Sequence, residues 1–179
     1  MDVTEIIKSA KRPEKTVELC LRGDLVAAWE DLERKRAAAE QASGDSLAGS
    51  GARQYAEQMR ALEEQMAQAT VVFRLRALPR REYNELYAAH PPRLDADGKP
   101  DRLDGAYGYN TLTFWPALVA ASLVEPLLDA EVLDTLLQDQ LSDAQFDALA
   151  GAAIVVNRGE VDVPFSPGAS AMLRSSAPE

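Results

Sequence analysis

An α+β fold, mainly α, is predicted by three features of the sequence. Two short stretches, Thr16–Leu21 and Thr70–Leu78, alternate apolar and polar residues with the period of a strand. Between them lie two segments of equal length with apolar residues spaced 4-3-4-3, joined by the Gly/Ser connector 43–51. After residue 112 the apolar spacing is helical, punctuated by prolines and capping residues. The simplest arrangement is a β-α-α-β unit with two short antiparallel strands and a projecting helical hairpin, followed by a C-terminal bundle of short helices. The expected divisions are an N-terminal arm at 1–14, the β-α-α-β unit plus a short helix at 15–90, an acidic loop at 91–112, a helical subdomain at 113–159 and an extended or disordered tail at 160–179.

The arm holds one small apolar group, Val3, Ile6 and Ile7, and predicts a loose segment or one helical turn before Pro13. In the first strand Val17, Leu19 and Leu21 point inward and Thr16, Glu18 and Cys20 outward. Cys20 has no histidine or helix N-terminus nearby in sequence to activate it, so an unreactive small side chain is the default. Gly23 breaks the strand, and Asp24 is placed to cap a helix. Leu25, Trp29, Leu32, Arg36 and Ala39 form its seam; Tyr55, Met59, Leu62, Met66 and Ala69 form the answering one. Each arm is about 25 Å long at ~1.5 Å per residue. Methionine also suits adaptable partner surfaces, but core packing is its default use here.

The second strand puts Val71, Phe73 and Leu75 on one face and Arg74 and Arg76 on the other. With Arg80 and Arg81 the latter make a local basic patch, by default a solvated edge. Pro79 fits the first turn of a helix, whose Tyr83, Leu86, Tyr87 and His90 recur at i, i+3, i+4, i+7 before Pro91-Pro92 stops it. His90 lacks a metal-ligand partner and is expected to cap carbonyls at the helix end. Asp95, Asp97, Asp101 and Asp104 suggest calcium. However, counting from Asp95, Pro100 stands where the sixth-position Gly belongs and Ala106 where the twelfth-position Glu belongs. A surface loop is the reading that remains.

Thr113 is the expected cap of an almost wholly apolar helix, 114–124, with Pro116 in its first turn; this helix is either the buried centre of the C-terminal half or a partner site. Asp129 opens a helix carrying Val132, Leu133, Leu136, Leu137 and Leu141. Ser142 and Gln145 make a capping box for the last helix, which presents Phe146, Leu149, Ala150, Ala153 and Ile154 on one face and ends at Gly159.

Composition narrows the function. The net charge of -10 is lopsided: residues 1–81 hold 14 Lys and Arg against 13 Asp and Glu, while residues 82–179 hold 5 against 16. Phosphate neutralisation needs clustered cations, so nucleic acid is not an expected partner. No apolar run reaches the ~18 residues that span a bilayer, and the first residues lack a secretory h-region. One cysteine and one histidine leave no parts for a disulfide framework, a zinc site or a Cys–His nucleophile. No Gly-rich phosphate loop, GxSxG, HExxH or CxxC occurs. Neither a catalytic residue nor a cofactor is expected.

The runs FRLRALPRREYNELYAAHPPR (73–93) and YNTLTFWPALVAASLVEP (109–126), separated by a polar loop, resemble tail assembly chaperones of long-tailed actinobacterial phages. The ending VVNRGEVDVPFSPGAS (155–170) is also similar to that family, and the likeness runs in order over residues 15–170. Tyr83 stands where the family would more often have Trp; the aromatic anchor is kept. The resemblance implies a non-enzymatic protein of the host bacterial cytoplasm that coats and solubilises the tape-measure protein, helps recruit tail-tube subunits and is left out of the mature virion. It also implies a longer product made by ribosomal frameshifting. Trp29, Phe114, Trp115 and Leu118 are the expected grip points, each with plain core packing as its default. A homo-oligomer is left open. The competing readings are an adaptor retained in the phage particle and a small carboxylate-dependent hydrolase using the 95–104 loop.

Overall fold

The computed structural model describes residues 2–43 and 50–159. The tail after residue 159 and most of the 43–51 connector therefore lie outside the described residues. Asp2 caps a six-residue helix, α1 (Val3–Lys8), by accepting from the Thr4 amide, and this helix buries nothing. The strand begins two residues earlier than the alternation predicts, as β1 (Glu14–Cys20). The hairpin follows as α2 (Gly23–Ser43) and α3 (Ser50–Gln68), leading into β2 (Thr70–Arg76).

β1 and β2 pair antiparallel, with Glu14 opposite Arg76 and Cys20 opposite Thr70. Directly opposed residues share a face, so Val17 with Phe73 and Leu19 with Val71 line the inner side. Glu14 and Arg76 meet on the outer side, where Arg76 Nε donates to Glu14 at 2.6 Å. Leu21, expected inward, falls beyond the strand and is exposed. The hairpin seams interlock as spaced: Leu25 and Met59 are buried, and the rest of both seams is half-buried. Trp29 Nε1 donates to Glu63 at 3.0 Å, and Ala39 lies beside Gly51, which fixes the arms as antiparallel. Asp24 falls inside the first turn of α2, where its carboxylate binds Arg22 at 2.6 Å rather than capping the helix.

The sheet has three strands, not two. β2 leads to α4 (Arg80–Ala89), α5 (Arg102–Tyr107) and α6 (Thr111–Ser122), after which β3 (Leu123–Glu125) pairs with the far edge of β2. Leu123 and Val124 were expected in the helix, because a three-residue strand is too short to show alternation. Pro126 supplies the reason: the residue before proline is pushed out of the helical region, and the backbone is already extended at Leu123. Pairing there also satisfies an edge of β2 that would otherwise be open. Arg74 then sits opposite Glu125 and is bound to it on the outer face. Half of the predicted basic patch is thus neutralised by strand carboxylates.

The chain finishes with α7 (Ala130–Thr135), a π-turn (Leu136–Gln140) and α8 (Asp143–Arg158). Asp129 holds the N-cap position of α7 without a side-chain bond, whereas the Ser142–Gln145 capping box forms as predicted. One apolar cluster joins sheet and helices, with Phe73, Leu75, Phe114, Leu118, Leu149 and Ala153 at its centre. Burying each of these leucine and phenylalanine side chains contributes about 1.5–3 kcal/mol. Asn157 locks α8 to the β2–α4 connector and to α6: its Oδ1 accepts from the Leu78 amide at 2.7 Å, and its Nδ2 donates to Ser122 Oγ at 3.0 Å.

Candidate partner-binding groove

The 91–112 segment, expected as a loop, is folded and holds the candidate site in place. Asp95 accepts the amides of Asp97 and Lys99 at 2.9 Å, and Gly98 turns the chain at φ +76°. Asp101 caps α5. Asp104 is fully buried and serves as the keystone. It accepts Arg93 Nε at 2.7 Å and Nη2 at 3.0 Å, the Arg93 amide at 3.0 Å, and the Thr111 amide and hydroxyl at 3.0 and 2.8 Å. The Arg93 bond first, then the Thr111 and Arg93 donors, outweigh burial and hold this carboxyl well below the ordinary aspartate range. Three of the four aspartates that suggested calcium or hydrolysis are therefore occupied as turn former, cap and keystone. Among the described residues no group of three His, Cys, Asp or Glu side chains could hold a metal ion.

Gly108 ends α5 at φ +82°, a conformation glycine adopts without cost. A Cβ there would also overlap the Tyr87 hydroxyl. Asn110, not Thr113, caps α6, by accepting the Leu112 amide at 3.1 Å. The helix thus starts earlier than expected, and Pro116 falls in its second turn. Thr113 is left to bond His90, whose Nδ1 lies 2.8 Å from the threonine hydroxyl. The ring of His90 caps no carbonyl; it meets Phe114 edge-on at 6.0 Å. Pro79 is the N-cap of α4 rather than a first-turn residue.

These joints gather an aromatic cluster. Tyr83 and Tyr87 of α4 and its C-cap His90 pack on Phe114, and Tyr109 lies 4.1 Å from it, centroid to centroid. Trp115 Nε1 donates to the Tyr109 hydroxyl at 2.9 Å, whose own ionisation burial pushes up. Trp115 then stands as a ridge between two grooves. One, of about 560 Å³, is walled by Tyr83, Tyr107, Trp115, Ala150, Ile154 and Arg158. The other, of about 340 Å³, is walled by Leu103, Leu112, Trp115, Leu141 and Phe146. Leu112 is 66% exposed and Tyr107 49%, so apolar surface continues out of both grooves.

Of the four expected grip points, Phe114 and Leu118 are wholly buried and present no surface. Trp29 belongs to the hairpin seam. Of the four, Trp115 is the one that opens to the grooves. Tyr107, Leu103 and Leu112 were not anticipated, because α5 and the first turn of α6 were hidden in an apparent loop. Its signal is readable in retrospect: Asp101 and Gly108 bracket six residues as N-cap and C-cap.

The comparisons identify no family: no family profile, no curated protein and no solved structure matches the chain. Among the described residues no helix is long and apolar enough to cross a membrane.

Proposed function

We propose that the chain is a non-enzymatic tail assembly chaperone of a long-tailed phage, acting in the host cytoplasm to bind and solubilise the tape-measure protein and to help recruit tail-tube subunits. The observation that carries this reading is the pair of apolar grooves on either side of Trp115. A tape measure is a long, largely helical chain with apolar stripes. A ridge between two grooves offers such a stripe somewhere to lie, and the acidic exterior of a chain with net charge -10 keeps the complex soluble. The sequence resemblance at 73–126 covers α4 and α6, which carry Tyr83 and Trp115.

Co-expression with the neighbouring tape-measure gene tests this. The chain is expected to hold the tape measure in the soluble fraction. Leu112→Glu, which charges an exposed groove wall without touching the core, is expected to lose that effect while its circular dichroism stays unchanged. A tape measure equally insoluble with and without the chain defeats the reading. The chaperone is also expected to be absent from purified virions by mass spectrometry, where an adaptor would be retained.

A further inference from the structure

One side of the larger groove is α8, and one residue there does not suit a helix. Gly151 lines the groove and is exposed in mid-helix, although glycine is the weakest helix former after proline. Packing among the described residues does not call for it, since a Cβ at 151 would meet nothing within 4 Å. What glycine does supply is a bare backbone, which lets another chain approach closely. Its neighbours on that face, Ala148 and Val155, are exposed as well.

Charge marks the two ends of the same wall. Asp147 and Arg158 both line the groove from α8, about 16 Å or three helical turns apart at ~1.5 Å per residue. Asp143 extends the acidic end into the smaller groove, and Arg80 extends the basic end into an adjoining trough. None of the four has an ion-pair partner among the described residues. Single solvated charges are ordinary; these are sorted by sign to opposite ends of one apolar groove, which sets a direction for whatever lies in it. The occupant must also satisfy its own backbone, because α4, α5, α6 and α8 set the walls and no strand edge is among them. A helix meets that condition, and an extended segment does not.

We propose that the larger groove takes one amphipathic helix of the tape measure, laid along α8 across Gly151. Its apolar side chains meet Tyr107, Trp115 and Ile154. A Lys or Arg faces Asp147 and Asp143 at one end, and an Asp or Glu about three turns away faces Arg158 and Arg80 at the other. The tape measure's name rests on the chaperone reading; the helical form, the length and the order of charge come from the groove. Gly151 is then a residue kept for binding at a cost in stability, so the two properties move in opposite directions when it is replaced.

The test titrates the full chain with a synthetic Leu/Ala/Gln model helix of about four turns, roughly 15 residues, carrying one Lys in its first turn and one Glu in its last. Saturable shifts of the Trp115 indole and Gly151 amide resonances are expected, and unmoved resonances overturn the proposal. Gly151→Leu fills the groove and adds no charge. It is expected to raise the melting temperature, because Leu is the better helix former, while weakening the model helix at least tenfold; unchanged affinity overturns the docking site. Asp143→Lys with Asp147→Lys is expected to weaken the same helix severalfold and to favour one with Glu at both ends, and an unaltered preference overturns the charge order. Co-expression separates this proposal from the chaperone reading. A tape measure kept soluble by the Gly151→Leu chain as well as by the parent overturns the groove and leaves the chaperone standing. A model helix that binds as described, beside a tape measure the parent chain fails to solubilise, defeats the chaperone and supports the groove as a helix site.

Discussion

The helical hairpin and the C-terminal half bury their residues by different means. In α2 and α3 the contact is a narrow seam in which, among the described residues, only Leu25 and Met59 are buried, and the outer faces carry ion pairs between residues three or four apart, such as Arg34 with Asp31 and Arg53 with Glu57. Around α6 and α8, Phe114, Leu118, Val119, Leu149 and Ala153 are essentially sealed from solvent, and a charged residue, Asp104, is sealed with them. The hairpin is built from local, periodic contacts that recur along its length. The C-terminal half is built from contacts between distant segments, several made by one polar side chain. Loss of a single residue should therefore be absorbed in the hairpin and transmitted in the core.

The largest expected effect follows directly. Phe114 touches Tyr83 and Tyr87 of α4, the cap residue His90 and Tyr109, so Phe114→Ala leaves a cavity that several elements must collapse into. Such a truncation costs about 3–5 kcal/mol. Met59→Ala, in a seam open to solvent on both sides, is expected near the low end of its class, about 2 kcal/mol. Urea unfolding of the two variants measures both. Equal losses would mean that hairpin and core unfold as one tightly coupled unit, and the contrast would fail.

Asp104 sharpens the comparison through pH. Its folded carboxyl titrates below the ordinary value of 3.8, because the Arg93 bond and the Thr111 and Arg93 donors favour the charged form. A depressed folded value means that this stabilisation is complete above the ordinary value and is lost as pH falls below it. Asp104→Asn keeps the shape but removes the charge that Arg93 requires. It is expected to raise amide exchange across 91–112 and to flatten the acid limb of stability below about pH 4. Other carboxylates, Glu14 and Asp31 among them, are also depressed and remain in the variant, so the difference between the two pH curves isolates Asp104. An acid limb identical to that of the parent chain would remove Asp104 from its keystone role.

The same contrast explains what was legible in the sequence. The seams of α2 and α3 and the half-buried face of α4 follow from residue spacing alone, because each residue's role depends on neighbours three or four positions away. The strand faces were legible for a similar reason: Val17, Leu19, Phe73 and Leu75 alternate with charged residues. Asp104 and Asn157 were not, since each is defined by partners from other segments, Arg93 and Thr111 for one, Leu78 and Ser122 for the other. Spacing cannot distinguish a solvated aspartate from a sealed one. β3 was missed because its three residues carry no period. For the grooves, Trp115 was legible as a large apolar residue on an apolar helix. Its exposure was not, because that depends on where α5 and α8 stop.

The smallest expected effect lies on the outer face of α3, where Arg53 pairs with Glu57 at 3.1 Å and Arg60 with Glu64 at 3.8 Å. Both pairs place the cation toward the helix N-terminus and the anion toward the C-terminus. That order is the less favourable one, since the helix dipole prefers acids first and bases last. Arg53→Ala is therefore expected to cost less than about 0.5 kcal/mol. Exchanging the pair, Arg53→Glu with Glu57→Arg, keeps the ion pair and corrects its direction. It is expected to stabilise by about 0.3 kcal/mol, which for a chain of this size raises the melting temperature by about 1 °C. The gain should shrink at high salt, because both side chains are mostly exposed. A destabilising exchange would show that α3 is held by contacts on that face other than its own charges, and the hairpin would no longer be the locally determined half of the molecule.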